Sequence, residues 1–93
     1  MSLQFEWDPD KAASNLAKHG VSFDEAATVF ADPTAAIFAD PVHSTHEVRE
    51  LLVGYSERNR LLIISFTDRP PNVRVISARQ ANARERKRHE EHS

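Results

Sequence analysis

Apolar and polar residues alternate at the start of the chain, where Leu3, Phe5 and Trp7 are separated by Gln4 and Glu6. A period of two predicts a half-buried strand ending near Trp7. Asp8-Pro9 then offers an N-cap acceptor followed by a residue whose missing N–H costs nothing at the first helical position. A helix is predicted from there to about His19, closed by Gly20 in the left-handed C′ conformation. Ser22 and Glu25 have the spacing of a capping box, with Val21 placed to staple onto Ala26. A second helix over residues 23–31 would bury Phe23, Ala26, Ala27 and Phe30 at spacings of three and four, and Asp32-Pro33 ends it.

Residues 34–39, with Ile37 and Phe38, read as a strand, and Asp40-Pro41 turns the chain. Residues 42–49 are polar, rich in histidine and aperiodic, which predicts a loop or one short helical turn. Residues 50–56 and 61–67 read as two strands joined by Glu57-Arg58-Asn59-Arg60, a connection of hairpin length. The continuous run Leu61-Leu62-Ile63-Ile64 fits a central strand covered on both faces. Two prolines in Asp68-Arg69-Pro70-Pro71-Asn72 interrupt the ladder, and Val73, Val75 and Ile76 give a third strand over residues 73–76. Ser77 and Gln80 repeat the capping-box spacing, so a last helix is predicted to begin at Ala78 and run to His92.

That last helix has a thin apolar stripe, made of Ala78, Ala81 and Ala83, set among Arg79, Arg84, Arg86, Lys87 and Arg88. At roughly 25 cal/mol per Å² of apolar area, methyl groups hold little, and a weakly attached helix or one with a partner is expected. The pattern as a whole predicts an α+β fold in which an antiparallel β-sheet packs against two N-terminal helices, with a basic C-terminal helix at its edge.

Ninety-three residues accommodate one domain, spanning residues 1–93, which buries roughly 60% of the surface its unfolded chain exposes. The absence of cysteine excludes a disulfide framework and thiolate chemistry, and suits a reducing compartment. No apolar run approaches the roughly 18 residues of a spanning helix, and the start of the chain has no signal-peptide pattern. A soluble cytoplasmic protein without a membrane partner is expected. The net charge of −2 conceals a division: residues 1–56 carry three basic and nine acidic side chains, residues 57–88 nine basic and three acidic. Such asymmetry points to a polyanion-binding face or an oppositely charged protein partner.

Several motifs occur in a fixed order: Phe5-x-Trp7-Asp8-Pro9-x-Lys11, Asn15-x-x-Lys18-His19-Gly20-Val21-Ser22-Phe23-x-Glu25-Ala26, Val29-Phe30-x-Asp32-Pro33, Asp40-Pro41-x-His43-Ser44-x-x-Glu47-x-Arg49, and Ile76-Ser77-Ala78-Arg79-x-Ala81 with Glu85-Arg86. Together they resemble the BrnT family over nearly the whole chain. The resemblance implies a toxin of a type II toxin–antitoxin pair with a compact RelE-like fold. Such a toxin cleaves RNA and stops translation. A BrnA-like antitoxin with a ribbon-helix-helix part neutralises it, and the complex binds operator DNA. The family pattern often carries a Tyr near the end of the last helix, where this chain has His89, which replaces the phenol by another acid/base group.

Cleavage of RNA without a metal or other cofactor needs a base for the 2′-OH, a cation for the phosphoryl oxygens and an acid for the leaving 5′-oxygen. Arginine suits the second task, because its planar fork makes two charge-assisted hydrogen bonds to phosphate. Arg79 is the candidate clamp, on the expectation that it occupies the first turn of a helix, beside free backbone N–H groups. Arg49 and Arg60 either reach the same cleft or are surface charges. Arg84, Arg86 and Arg88 are candidates, with Arg60, for binding the RNA backbone. The acid/base candidates are His43 and Glu47, with His46 nearby, and His89. Lys18 and His19 join them, although cations there also suit the C-terminal end of a helix dipole. The H-x-x-H spacings of His43/His46 and His89/His92 are weak metal signals, and no metal site is expected. Two other readings fit the same sequence: a non-catalytic nucleic-acid- or protein-binding adaptor that uses the basic helix, and a toxin that folds but has lost activity.

Overall fold

The computed structural model describes residues 3–91. Among them the chain forms β1 (Gln4–Glu6), α1 (Pro9–His19), α2 (Phe23–Thr28), β2 (Ala36–Ala39), β3 (Glu50–Tyr55), β4 (Leu61–Arg69), β5 (Asn72–Gln80) and α3 (Ala83–Glu91), with 3-10 turns at Val29–Ala31 and Pro41–His43. The five strands make one sheet in the order β1-β5-β4-β3-β2. His92 lies outside the described residues.

The local signals at the start of the chain act as expected. The Asp8 carboxylate accepts the Asp10 N–H at 2.8 Å, and Gly20 closes α1 with φ 69°. Ser22 Oγ accepts the Glu25 N–H at 3.0 Å. The α-helical part of α2 is shorter than the periodicity predicts, ending at Thr28. There the chain tightens into a 3-10 turn in which the Asp32 N–H reaches the Val29 carbonyl; such tightening is a usual way to satisfy the last carbonyls ahead of a proline. In the hairpin between β3 and β4, Asn59 takes a left-handed φ of 59°, which asparagine tolerates better than most residues.

One face of the sheet carries the main core. Val21, Phe23, Ala26 and Val29 pack against Leu52, Leu62, Ile64, Phe66, Val73, Val75 and Ala78. Phe30 stands edge-on to Phe66 and tilted against Phe5, each with ring centroids 5.1 Å apart, and Trp7 meets Phe23 edge-on at 5.8 Å. The other face holds a smaller cluster of Val53, Leu61, Ile63 and Ala81.

Three expectations from the sequence are corrected. The sheet is mixed, because β1 runs parallel to β5 with Phe5 opposite Val73. The last strand extends four residues past Ile76, and the helix starts at Ala83 instead of Ala78. Helix α3 lies over the second face of the sheet, where the His89 ring meets Tyr55 at 5.7 Å, so it is not confined to an edge.

The longer strand has a clear cause. β4 is nine residues long, and its apolar centre needs a ladder partner on each side. Leu62, Ile63 and Ile64 find one in Gln80, Arg79 and Ala78. β1 covers β5 only as far as Arg74, and beyond it the side chain of Asn15 stands in for the missing strand. Its Nδ2 donates to the carbonyls of Ala78 (2.8 Å) and Val21 (3.0 Å), and its Oδ1 accepts the Ala78 N–H at 3.1 Å. The helix signal that operates is a different capping box. Asn82 Oδ1 accepts the Glu85 N–H at 2.8 Å, and Glu85 Oε1 accepts the Asn82 N–H at 2.9 Å.

Candidate functional site

The pairing of β4 with β5 shifts register between Ser65 and Phe66: Phe66 faces Val75, Ser65 faces Ser77, and Ile76 is the extra residue. A bulge of this kind re-aims the side chains that follow it. Ala78 returns to the main core, while Ser77 and Arg79 stand on the opposite face. There they line a groove of about 450 Å³ together with His19, Asp40, His43, Arg49, Leu51 and Ile63.

The loop before β3 is folded so that its chemical groups arrive together. Ser44 Oγ donates to the Asp40 carbonyl at 2.6 Å and accepts the Arg49 N–H at 2.9 Å, and the Asp40 N–H donates to the Arg49 carbonyl at 3.1 Å. Thr67 on β4 pins the same loop by donating to the Val48 carbonyl at 2.6 Å. Asp40 is thereby held 3.0 Å from His43 Nδ1. A carboxylate at that distance fixes the imidazole's orientation and favours a proton on Nδ1. Glu47 reaches Arg49 Nε at 3.5 Å, beyond good hydrogen-bond geometry. This Nε is buried and has no hydrogen-bond partner among the described residues. A buried donor without a hydrogen bond costs on the order of 1–3 kcal/mol, a cost the nearby Glu47 charge offsets in part.

Arg79 is spoken for. Its Nη1 and Nη2 donate to Glu85 Oε1 and Oε2 at 2.8 and 2.9 Å, a bidentate pair. The hydrogen bonds from Arg79 hold the Glu85 carboxyl below its ordinary range despite burial, helped by the Asn82 N–H and the charges of Arg79 and Arg88. Carboxylate and phosphate present similar geometry to a guanidinium fork, so Glu85 occupies the place on Arg79 that a phosphate would take.

On the far side of Arg79 lies a second hollow of about 600 Å³, lined by Phe38, Leu51, Val53, Ile63, Arg88 and His89, among others. Arg79, Leu51 and Ile63 border both spaces. His89 is 9% exposed, and its Nε2 has no hydrogen-bond partner among the described residues.

The structure thus gathers Arg79, Arg49, His43 and His19 around one groove and sets His89 and Arg88 in the adjoining hollow. The sequence argument for Arg79 is corrected: it sits on a strand, so the free N–H groups and dipole of a helix start do not support it. Arg60 does not line the groove. Its guanidinium is bound to the carboxylate of buried Glu25, with Nε at 2.9 Å from Oε2 and Nη2 on Oε1, and Nη2 also donates to the Gly20 carbonyl at 3.2 Å. Lys18 borders a shallower depression beside α1, His46 is exposed in the loop, and Arg84 and Arg86 are exposed on α3. Sequence reasoning missed Asp40, Ser77 and Glu85 as groove or clamp residues. The three-residue spacing of Asp40 and His43 was the one available signal for the first.

A family model described as the ribonuclease toxin BrnT of a type II toxin–antitoxin system matches residues 7–85. Every groove residue named above falls within that span, and Arg88 and His89 fall after it. In fold the chain is similar to the Brucella abortus ribonuclease toxin BrnT, known from a crystal structure. The TM-score is 0.68 at 23% sequence identity, covering 87% of this chain and 99% of that one. No match is found among curated proteins.

Proposed function

Because this chain belongs to the BrnT family of ribonuclease toxins from type II toxin–antitoxin systems, we propose that it cuts RNA in the groove beside Arg79, without a metal ion. The observation that carries this reading is the convergence of His19, His43, Arg49 and Arg79 on one groove. The two arginines bracket the space a phosphodiester would fill, and their fixed charges oppose the negative charge that builds on the phosphoryl oxygens. His43, oriented by Asp40, and His19 are the groups able to take the 2′-OH proton and to return one to the leaving oxygen. The 2′-oxygen bonds to phosphorus as the P–O5′ bond breaks, which leaves a 2′,3′-cyclic phosphate and a free 5′-hydroxyl. Glu47, 3.5 Å from Arg49 Nε, balances the charge of that guanidinium beside the groove. Cutting messenger or ribosomal RNA stops translation, and a BrnA-like ribbon-helix-helix antitoxin relieves the arrest and takes the toxin to operator DNA as a complex.

The test is cleavage of RNA in EDTA, with end-group analysis, by the wild type and by Arg79→Ala, Arg49→Ala and Glu47→Ala. Growth arrest on expression is scored in parallel. Loss of a positioned cationic or hydrogen-bonding group costs on the order of 10²–10³-fold in rate, and both arginine variants are expected to cut that much more slowly while folding normally. Growth arrest by both arginine variants at the wild-type level would remove the groove from the mechanism. A wild type that binds RNA without cutting it would favour the adaptor.

A further inference from the structure

We propose that the hollow between α3 and the β2–β3 side of the sheet is a nucleobase subsite, which takes the base next to the phosphate held by Arg79 and makes cleavage depend on base identity. This rests on the groove being the site of RNA cleavage.

Continuity is the first observation. Arg79, Leu51 and Ile63 border both the groove and the hollow, so a nucleotide whose phosphate lies on Arg79 has its base within reach of the second space. Composition is the next. The hollow has an apolar lining of Leu51, Val53, Ile63 and Phe38, and the Phe38 ring is 52% exposed on an edge strand. A half-exposed aromatic ring is costly to leave in water, and it offers a stacking face that accepts any base. The last observation is the His89 nitrogen. Held against Tyr55 and nine-tenths buried, the His89 ring lines this hollow; its charge acts on the Asp32 carboxyl, and its buried Nε2 makes no hydrogen bond among the described residues. Bases differ at their edges in which positions donate and which accept, so an imidazole lining the hollow discriminates among bases where stacking does not.

The experiment has two arms. In the first, the wild type, Phe38→Ala and His89→Phe digest a pool of RNA randomised in sequence, and every cut is mapped. His89→Phe keeps a ring against Tyr55 and removes the nitrogens. Stacking on one aromatic side chain is worth about tenfold or more, so Phe38→Ala is expected to slow cutting about that much at all sites alike. His89→Phe is expected to lower the ratio of cutting at preferred over disfavoured bases by about tenfold, the scale of one base-edge contact. Rates and ratios equal to wild type in both variants overturn the subsite.

In the second arm, nucleoside 5′-monophosphates and ribose 5-phosphate are titrated separately against the wild type, and the ring signals of Phe38 and His89 are followed by NMR. Shifts with the nucleotides that ribose 5-phosphate does not cause support the subsite even if the protein cuts nothing. Identical responses to both probes overturn it even if RNA is cut. The cleavage reading and the subsite can therefore fail separately.

Discussion

The two faces of the sheet are built to different standards. Beneath α1 and α2, the buried polar side chains are matched to partners: Asn15 makes three hydrogen bonds, and the Glu25 carboxylate meets Arg60 and Ser56. Across the sheet, α3 covers only part of the surface, two open spaces remain, and Arg49 Nε and His89 Nε2 lack partners among the described residues. One face supplies the stability that lets the other keep unsatisfied groups, as binding surfaces commonly require. Neighbouring residues on one strand fall under different rules according to the side they take.

Ile63 and Ile64 put this contrast to its largest test. They are the same residue type at adjacent positions of β4, one facing each side. Ile64 is fully buried among aromatic and aliphatic neighbours; Ile63 is nearly buried but borders both open spaces. Truncating a buried isoleucine costs about 2–5 kcal/mol, depending on how far the surroundings can relax. Ile64→Ala is expected to fall near the upper end, about 4 kcal/mol, and Ile63→Ala near about 2 kcal/mol. Urea unfolding with unchanged m-values reads the difference. RNA cleavage, by contrast, should suffer more in Ile63→Ala. Equal stability losses would mean that the two faces are packed alike.

The Glu25–Arg60 pair tests polar matching on the closed face. Glu25 is 4% exposed, and removing the partner of a buried charge costs about 3 kcal/mol or more. Arg60→Gln should therefore destabilise the fold by about 3 kcal/mol and leave the groove's chemistry intact in the folded fraction. The pair also predicts a pH dependence. Hydrogen bonds from Arg60 outweigh burial and, with Ser56, hold the Glu25 carboxyl below its ordinary value of 4.5. A carboxyl lowered on folding stabilises fully at pH values above the unfolded pKa, and its contribution fades as pH falls through the lower folded value. The stability gap between wild type and Arg60→Gln should thus be widest near neutrality and close on acidification below 4.5. A gap that stays constant with pH would show that the carboxylate is not what Arg60 stabilises.

What the sequence disclosed follows the range of the interactions involved. Asp8-Pro9, Gly20 and the Ser22 box act within a turn or two, and the structure places both N-terminal helices where these residues put them. The parallel pairing of β1 with β5 joins Phe5 to Val73, and nothing in the local alternation encodes so distant a partner. Ser77-x-x-Gln80 and Asn82-x-x-Glu85 are equally good capping boxes as strings. Only the demand of β4 for a ladder partner, with the amide of Asn15 on Ala78, decides between them. The expectation that Arg79 clamps phosphate rested on the wrong local support: its position depends on a bulge at Ile76 and on strand pairing. Arg60, read as a free cation at a hairpin end, is bound to a carboxylate 35 residues away.

Gly54 sharpens the comparison at the seam between β3 and the turn after α2. A Cβ there would lie 2.8 Å from Ala35 Cβ, 2.9 Å from Asp32 Oδ2 and 2.9 Å from Val29 Cγ1. Asp32 Oδ2 is already fixed by the Tyr55 N–H at 2.7 Å, so it has little room to yield. Overpacking of this kind costs about 1–3 kcal/mol, and Gly54→Ala is expected to lower the denaturation midpoint accordingly. An unchanged midpoint would show that this side of the closed face has slack.

The smallest stability effect is expected where the open face is most engaged, at Glu85. Glu85→Gln retains the capping-box spacing, and the Arg79 side chain is 44% exposed, so solvent screens the lost charge pair and stability should change by less than about 1 kcal/mol. The consequence for function is larger. Because the Glu85 carboxyl is held below its ordinary range, it stays ionised near neutrality and keeps both forks of Arg79. In the proposed cleavage site, an RNA phosphate would have to displace it to reach them. Neutral Gln donates as well as accepts and cannot hold the guanidinium in the same bidentate way, so Glu85→Gln should lower the KM for RNA severalfold with little change in thermal midpoint. A loss of cleavage as deep as that of Arg79→Ala would reverse the assignment: Glu85 would then aim the guanidinium at the groove, and the open face would be as preorganised as the closed one.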